Sequence, residues 1–199
     1  MRNFAVVLLV GVLFPCTAFG GEYPVDKGAT MISGLFSVYN SGGDLYEDSR
    51  QNASTTFTFS PSVLTFVTPN FALGSQFSYA HISQGDRVET QLAIGPKVGY
   101  FSGDPDSKVY PFLVVGFSYL ENSYGIAYYH YEYAYAARSK VTASGTRFFF
   151  SAGLSLMASS HLGIIWEVTY NIDRLKEGRY DRQSGRTFGT NIGLAGFLF

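Results

Sequence analysis

The feature that most constrains this chain is a regular alternation of apolar residues with polar or small ones. Between Val88 and Tyr100 the even positions are mainly apolar, whereas the odd positions are polar or small. The stretches from Asn70 to Ile82 and from Leu162 to Ile172 repeat this pattern. A period of two is that of a β-strand whose two faces meet different surroundings. The pattern therefore predicts amphipathic strands.

Eight segments of this kind follow one another along the chain. They cover residues 28–40, 54–67, 70–83, 88–102, 108–121, 143–158, 161–173 and 187–199. Short connections at 68–70, 103–107 and 159–161 alternate with the long connections 41–53, 122–142 and 174–186 and the modest connection 84–87. An even number of strands, with short turns on one side and longer loops on the other, predicts an eight-stranded antiparallel up-and-down transmembrane β-barrel.

The composition supports a membrane barrel over a soluble one. Only 15% of residues are charged and 17% are aromatic, against about 25% charged in an ordinary soluble domain. A soluble eight-stranded barrel would place its apolar side chains inside, whereas here the polar faces are rich in small residues that suit a narrow lumen. Tyr79, Tyr119 and Tyr170 fall near the loop ends of strands, where an aromatic girdle is expected.

The first twenty residues are predicted to be a cleaved signal peptide, which leaves 21–199 as one barrel domain. Arg2 precedes an apolar run from Phe4 to Phe14, and small residues stand before a cut after Gly20. Cys16 gives a weak lipobox as an alternative. The net charge of −1 offers no broad basic face, so we expect no nucleic-acid partner.

Short motifs along most of the remaining chain resemble the small OmpA/OmpX-like outer-membrane barrels. They are Thr58 to Val63, Val67 to Gly74, Ile94 to Phe101, and Tyr110-Pro111-Phe112 with Gly116. The resemblance implies an integral protein of the Gram-negative outer membrane, in contact with lipid and lipopolysaccharide. It also implies a C-terminal signal, here Phe197 and Phe199, for the barrel-assembly machinery. The resemblance does not extend to a peptidoglycan-binding domain. The first and last strands depart from the pattern, since each carries two competing apolar alternations.

The lumen of so small a barrel is expected to be filled by side chains, which disfavours a general porin. The inward positions Gln76, Glu89, Gln91, Lys97, Arg147 and Glu167 would fill it. Buried charges need partners. We therefore predict a lumen charge network of Glu89, Lys97, Arg147 and Glu167, in which Lys97 pairs with Glu167 and Arg147 can join.

Catalysis is a minor alternative. His81-Ile82-Ser83 is similar to the His-x-Ser of lipid A deacylases, with Glu89 as the candidate acidic partner. His130 and His161 stand apart, and Cys16 is the one cysteine, so neither a metal site nor a cofactor is expected. We expect a non-enzymatic protein, with a lipid A-modifying hydrolase or a small-solute channel as alternatives.

The segment 121–140 holds six of the 15 tyrosines. They are Tyr124, Tyr128, Tyr129, Tyr131, Tyr133 and Tyr135. Tyrosine offers a large amphipathic contact area at low entropic cost, which suits an adhesin-like surface that binds an extracellular ligand. Two other interpretations stay open: the tyrosines only stabilise a protruding hairpin, or the barrel has a purely structural role in the membrane.

Overall fold

The computed structural model describes residues 21–41, 54–84, 87–129, 136–176 and 183–199. The predicted signal peptide, 1–20, lies outside them. Eight strands form a closed barrel in sequence order, and every neighbouring pair, including β1 with β8, is antiparallel. The strands are β1 (Thr30–Ser41), β2 (Ser54–Thr68), β3 (Phe71–Gln84), β4 (Arg87–Phe101), β5 (Val109–Tyr129), β6 (Ala136–Met157), β7 (Leu162–Lys176) and β8 (Gln183–Leu198). The predicted fold is confirmed.

The main difference from the predicted elements concerns the connection 122–142. Much of this segment is strand, because β5 continues to Tyr129 and β6 begins at Ala136. The predicted loop is therefore wrong over most of its length. The ends of β5 and β6 do not lie between a lumen and a membrane, so their residues have no reason to alternate between apolar and polar. The alternation pattern therefore did not indicate strands in this segment.

The barrel has two distinct ends. We call the end with the connections 69–70, 102–108 and 158–161 the turn end, and the end where β1 finishes at Ser41 and β5 at Tyr129 the loop end. The outer face between them is apolar, and all eight strands contribute exposed side chains to it. These are Ile32, Phe36, Val38, Phe57, Val67, Phe71, Phe77, Val88, Tyr100, Val109, Leu113, Val115, Phe117, Tyr119, Phe148, Phe150, Leu156, Leu162, Ile164, Trp166, Phe188, Ile192, Leu194 and Leu198. Such a continuous apolar belt is stable in a membrane and not in water.

The turn-end half of the lumen is a hydrophobic core. Its buried members come from all eight strands and from the segment before β1. They are Val25, Ala29, Met31, Leu35, Leu64, Phe66, Ala72, Phe101, Tyr110, Phe112, Val114, Phe149, Ile165, Ala195 and Phe197. The Phe101 ring stacks on Phe112, with centroids 5.1 Å apart, and meets Phe66 edge-on at 5.3 Å. Side chains of this size leave no aqueous path through this half.

Residues 21–29 form a stopper beneath this core. The Asn70 amide donates to the Val25 carbonyl at 2.8 Å, and the Gly28 amide donates to the Phe66 carbonyl at 2.8 Å. The Val25 side chain is fully buried. The segment thus covers the turn end of the lumen and is fixed by the backbone of β2 and of the β2–β3 turn.

The apolar core also explains the two strands with competing alternations. In β8, Phe188, Ile192 and Leu194 are exposed on the belt, whereas Ala195 and Phe197 are buried in the core. The ladder between β7 and β8 runs without a shift. Both alternations are therefore real and belong to one register. The same holds for β1, where even positions face outward and odd ones face the core.

Close strand approach requires glycine at several lumen positions, of which Gly95 is the clearest. A Cβ atom added there would lie 1.9 Å from the Phe117 carbonyl oxygen on β5. The contact is with backbone, so no side-chain movement can relieve it. Pro96 follows directly, and the β4–β5 ladder skips from Ile94 to Lys97, as expected for a residue that lacks an amide hydrogen.

Candidate functional site

A polar cavity of about 150 Å³ occupies the lumen above the hydrophobic core, toward the loop end. Most of its walls are hydroxyl, amide and charged side chains. The lining residues are Ser37, Thr56, Thr58, Ser60, Gln76, Ser78, Ala80, Ile82, Gln91, Ala93, Ser118, Arg147, Glu167, Thr169, Asn171, Asp173, Thr187, Phe188, Gly189 and Asn191. The lumen thus changes from apolar to polar along the barrel axis.

Arg147 is the central cation of this cavity. Its Nε donates to Asp173 Oδ1 at 2.8 Å and its Nη2 to Asp173 Oδ2 at 2.7 Å. Nη2 also donates to Gln91 Oε1 at 2.6 Å. Both charged side chains are only 12% exposed. Two-point pairing of this kind fixes the guanidinium plane and links three strands, β4, β6 and β7.

Glu167 lies lower, just above the core residue Ile165 on the same strand. Its Oε1 accepts hydrogen bonds from Thr169 Oγ1 at 2.9 Å and from Asn191 Nδ2 at 3.0 Å. The carboxylate therefore has neutral donors on β7 and β8, and it is 8% exposed.

Lys97 is the most buried charge of the lumen, at 5% exposure. Its Nζ donates to Ser62 Oγ at 2.7 Å, and Ser62 shares a further 2.7 Å hydrogen bond with Ser33. No direct ion pair joins Lys97 and Glu167, both of which the structure describes; each has neutral hydrogen-bond partners of its own.

Glu89 lies near the loop end of the lumen. Asn122 Nδ2 donates to its Oε1 at 2.5 Å. The Oδ1 atom of Asn122 is buried without a hydrogen-bond partner. This hydrogen bond joins Glu89 of β4 to Asn122 of β5.

All four residues of the predicted network face the lumen, but they belong to separate groups. Asp173, the partner of Arg147, was not among them. The sequence does contain a signal for it. The short turn 159–161 sets the β6–β7 register, and that register places Asp173 directly opposite Arg147. The alternation within each strand predicts which charged side chains face the lumen. Which of these side chains meet depends on the register between neighbouring strands.

The His81 and Ser83 pair does not form a catalytic group with Glu89. Glu89 pairs with Ile82 across the β3–β4 ladder, and both face the lumen. His81 and Ser83 flank Ile82, so they point to the opposite, outer face of the same strand. The sheet itself therefore separates the imidazole and the hydroxyl from the carboxylate.

The predicted tyrosine surface is only partly covered by the structure. Tyr124, Tyr128 and Tyr129 lie on β5, and their backbone pairs with Val141, Ala137 and Ala136 of β6. Tyr131, Tyr133 and Tyr135 lie outside the described residues. The described pairing of β5 with β4 ends at Tyr124, and that of β6 with β7 ends at Ser144. The ends of β5 and β6 thus form a two-stranded extension of the barrel.

The C-terminal aromatic residues lie at the turn end. Phe197 is fully buried in the hydrophobic core. The Phe199 ring stacks on His161, with centroids 4.7 Å apart and an interplanar angle of 4°. These contacts join β8 to the β6–β7 turn, and the predicted role as an assembly signal stays a prediction.

Other site types find no support in the described part of the chain. It holds no group of three or more His, Cys, Asp or Glu side chains that could bind a metal ion. No helix among the described residues is long and apolar enough to cross a membrane.

The closed eight-stranded barrel, its apolar belt and its filled lumen define a small transmembrane β-barrel of the outer-membrane type. Neisserial surface protein A has the same fold: its crystal structure superposes with a TM-score of 0.53 at 14% identity, over 87% of this chain and 98% of that one. The N-terminal barrel domain of Pseudomonas aeruginosa OprF gives a TM-score of 0.46 at 11% identity, over 86% and 98%. No protein-family model and no curated protein sequence matches the chain.

Proposed function

We propose that this protein is a non-enzymatic integral protein of the Gram-negative outer membrane that presents the β5–β6 hairpin as a surface-recognition element. In this proposal the turn end faces the periplasm and the loop end faces the outside, as short turns and long strand extensions suggest. Lipid and lipopolysaccharide surround the belt, and the barrel-assembly machinery inserts the chain. The ligand of the hairpin is extracellular.

The single observation that carries the proposal is the length of this hairpin. β5 and β6 have 21 and 22 residues, whereas the other strands have 12 to 16. A strand of about 9 to 11 residues suffices to cross a membrane. The surplus places a tyrosine-bearing ribbon beyond the wall of the barrel, where it serves no barrier function and is available for contact with a partner.

A solute channel is the less favoured function. The hydrophobic core and the stopper 21–29 close the turn-end half of the lumen. A purely structural role is the second candidate, favoured by that same filled lumen.

The experiment shortens the hairpin without changing its register. Replacing 127–138 by Asn-Gly leaves Ile126 and Ser139 as the last pair and supplies a two-residue turn that suits a hairpin. Cells that carry the wild-type protein should adhere to cultured epithelial cells more than cells that carry the shortened one. A matched variant, Tyr128→Ser with Tyr129→Ser, keeps the hairpin and tests the tyrosines alone. Equal adherence of all three strains, at equal surface amounts, would favour the structural role.

A further inference from the structure

The backbone pairing between β1 and β8 covers only part of these strands. Their ladder runs from Thr30 opposite Leu198 to Phe36 opposite Ile192 and then stops. Beyond it, the described residues 37–41 pair with β2 and residues 183–191 pair with β7, but not with each other. We call this unpaired stretch of the closed barrel the β1–β8 gap.

This gap borders the polar cavity. Ser37, on the β1 side, and Gly189 and Asn191, on the β8 side, all line the cavity. The side chain of Phe188, between the lining residues Thr187 and Gly189, is 75% exposed on the outer face of β8 beside the gap. A Cβ atom added at Gly189, which faces the lumen as Asn191 does, would meet no atom within 4 Å, which indicates free space on the lumen side of the gap.

The gap lies at the loop-end border of the apolar belt. Phe188 is the cross-strand partner of Tyr170, one of the tyrosines expected at the membrane interface. Directly below the gap, Phe36, Ile192 and Leu194 continue the exposed belt. In a membrane, the gap therefore faces the headgroup region of the leaflet at the loop end, and the surface under it faces acyl chains.

The chemistry of the cavity selects the kind of group that can enter. Arg147 is the one cation among the lining residues, and its guanidinium already donates hydrogen bonds to Asp173 and Gln91. Two carboxylates, Glu167 and Asp173, also line the space, so an anionic phosphate is disfavoured. The remaining polar walls are hydroxyls and amides, which can donate to and accept from hydroxyl groups. The cavity of about 150 Å³ is large enough for a group the size of glycerol or one sugar ring.

We propose that the β1–β8 gap is a lateral portal through which the uncharged, hydroxyl-rich headgroup of a glycolipid enters the polar cavity from the loop-end leaflet. The acyl chains stay outside, along the belt below Phe188. This site rests on the membrane barrel alone and is independent of the β5–β6 hairpin. Binding through it would leave adherence by the hairpin unchanged, so the two proposals fail or succeed separately.

The test uses two photoreactive probes with the same head. One is a glucosyl diacylglycerol with a diazirine on the sugar, placed in phosphatidylcholine nanodiscs with the full-length barrel. The other is methyl glucoside with the same diazirine, free in solution. After illumination, mass spectrometry maps labelled residues. We expect the lipid probe to label lumen positions such as Thr58, Ser60 and Asn171, and the soluble probe to label them much less.

Filling the cavity beside the gap should abolish this labelling. Gly189→Trp places an indole in the free space on the lumen side of the gap. Leu113→Trp is the control, because Leu113 is 61% exposed on the outer face of β5 and is not among the residues that line the cavity. Ser37→Phe narrows the gap from the β1 side and replaces Gly189→Trp if that variant does not fold. Slow gel mobility without boiling verifies each fold.

The outcomes are decisive for the portal. Lumen labelling by the lipid probe that is much stronger than labelling by the soluble probe, and that is lost in Gly189→Trp or Ser37→Phe but retained in Leu113→Trp, supports it. Equal labelling by both probes would mean that sugars enter through the loop end, and would overturn lateral entry. Labelling by the lipid probe that is confined to the outer face would show ordinary belt lipid and would overturn the site.

Discussion

Arg147 and Asp173 face one another directly across the β6–β7 ladder and meet through two hydrogen bonds of 2.8 and 2.7 Å. On its other side, Asp173 faces Gly185 of β8, which has no side chain to compete for the carboxylate. Among the described residues, the carboxylate of Asp173 therefore meets Arg147 without competition from its β8 neighbour.

Truncation of one partner of this pair should destabilise the barrel. Arg147→Ala or Asp173→Ala leaves a nearly buried charge unpaired, which costs about 2 to 5 kcal/mol. The double variant should lose less than the sum of the single losses, because it leaves no unpaired charge. Urea unfolding in lipid vesicles, followed by gel mobility without boiling, measures all three. Strictly additive losses would contradict the pairing.

The Lys97 contact predicts a difference between two neighbouring serines. Ser62→Ala removes the hydroxyl that accepts from Lys97, so it should cost about 1.5 to 3 kcal/mol, the range for hydrogen bonds to charged groups. Ser60→Ala is the control, because Ser60 donates to Ser78 at 2.9 Å in a bond between neutral hydroxyls, worth about 0.5 to 1.5 kcal/mol. The same unfolding assay compares them. A larger loss in Ser60→Ala would show that Lys97 depends on another partner.

Two glycines should respond in opposite ways to the same substitution. Gly95→Ala forces a methyl group against the Phe117 carbonyl, so the heat-resistant folded form should be strongly reduced. Gly185→Ala meets nothing within 4 Å and should be neutral or stabilising by about 0.5 to 1 kcal/mol, because alanine loses less backbone entropy. The refolding yields of the two variants measure this difference. Equal yields for Gly95→Ala and Gly185→Ala would refute the close approach of β5 to Gly95.

The filled turn-end half predicts that the barrel does not conduct. Purified protein in planar bilayers should show no steady conductance, because the core and the stopper block the lumen in series. Val25→Ala alone should stay closed, since Phe66, Phe101 and Phe197 remain. Stable openings in the wild-type protein would support the channel alternative.

The orientation in the membrane is tested by single cysteines. Ser139→Cys, in the β5–β6 extension, should react with an impermeant maleimide on intact cells. Asp106→Cys, in an exposed turn, should react only after the outer membrane is permeabilised. The reverse pattern would place the hairpin in the periplasm and end its proposed role at the surface.

The sequence was sufficient for the fold because most of the strands carry the apolar–polar period of two in their own residues. It was misleading for the two strands in which both faces are apolar. In β1 and β8 both faces are apolar, since Met31 and Phe197 meet a protein core while Ile32 and Leu198 meet lipid. A prediction from alternation expects one polar face on each strand. It therefore cannot recognise that the turn-end half of the lumen is apolar.

Partners within the lumen were harder to predict than orientation. Arg147 and Asp173 could have been paired from the position of the β6–β7 turn, because one hairpin register fixes every pair on it. The contact between Lys97 and Ser62 joins β4 to β2, which are not neighbours in the sheet. Such a contact depends on the diameter of the barrel and the reach of a side chain, which no local pattern contains.

The stopper 21–29 also bears on the order of assembly. Gly21 lies close to Ala29 and to Phe199, so residues far apart in the sequence contribute to one seal. Contacts of such large sequence separation form slowly, because the intervening chain must first be ordered. We therefore expect the seal to form late in folding, after a stage in which the apolar interior is open at the turn end.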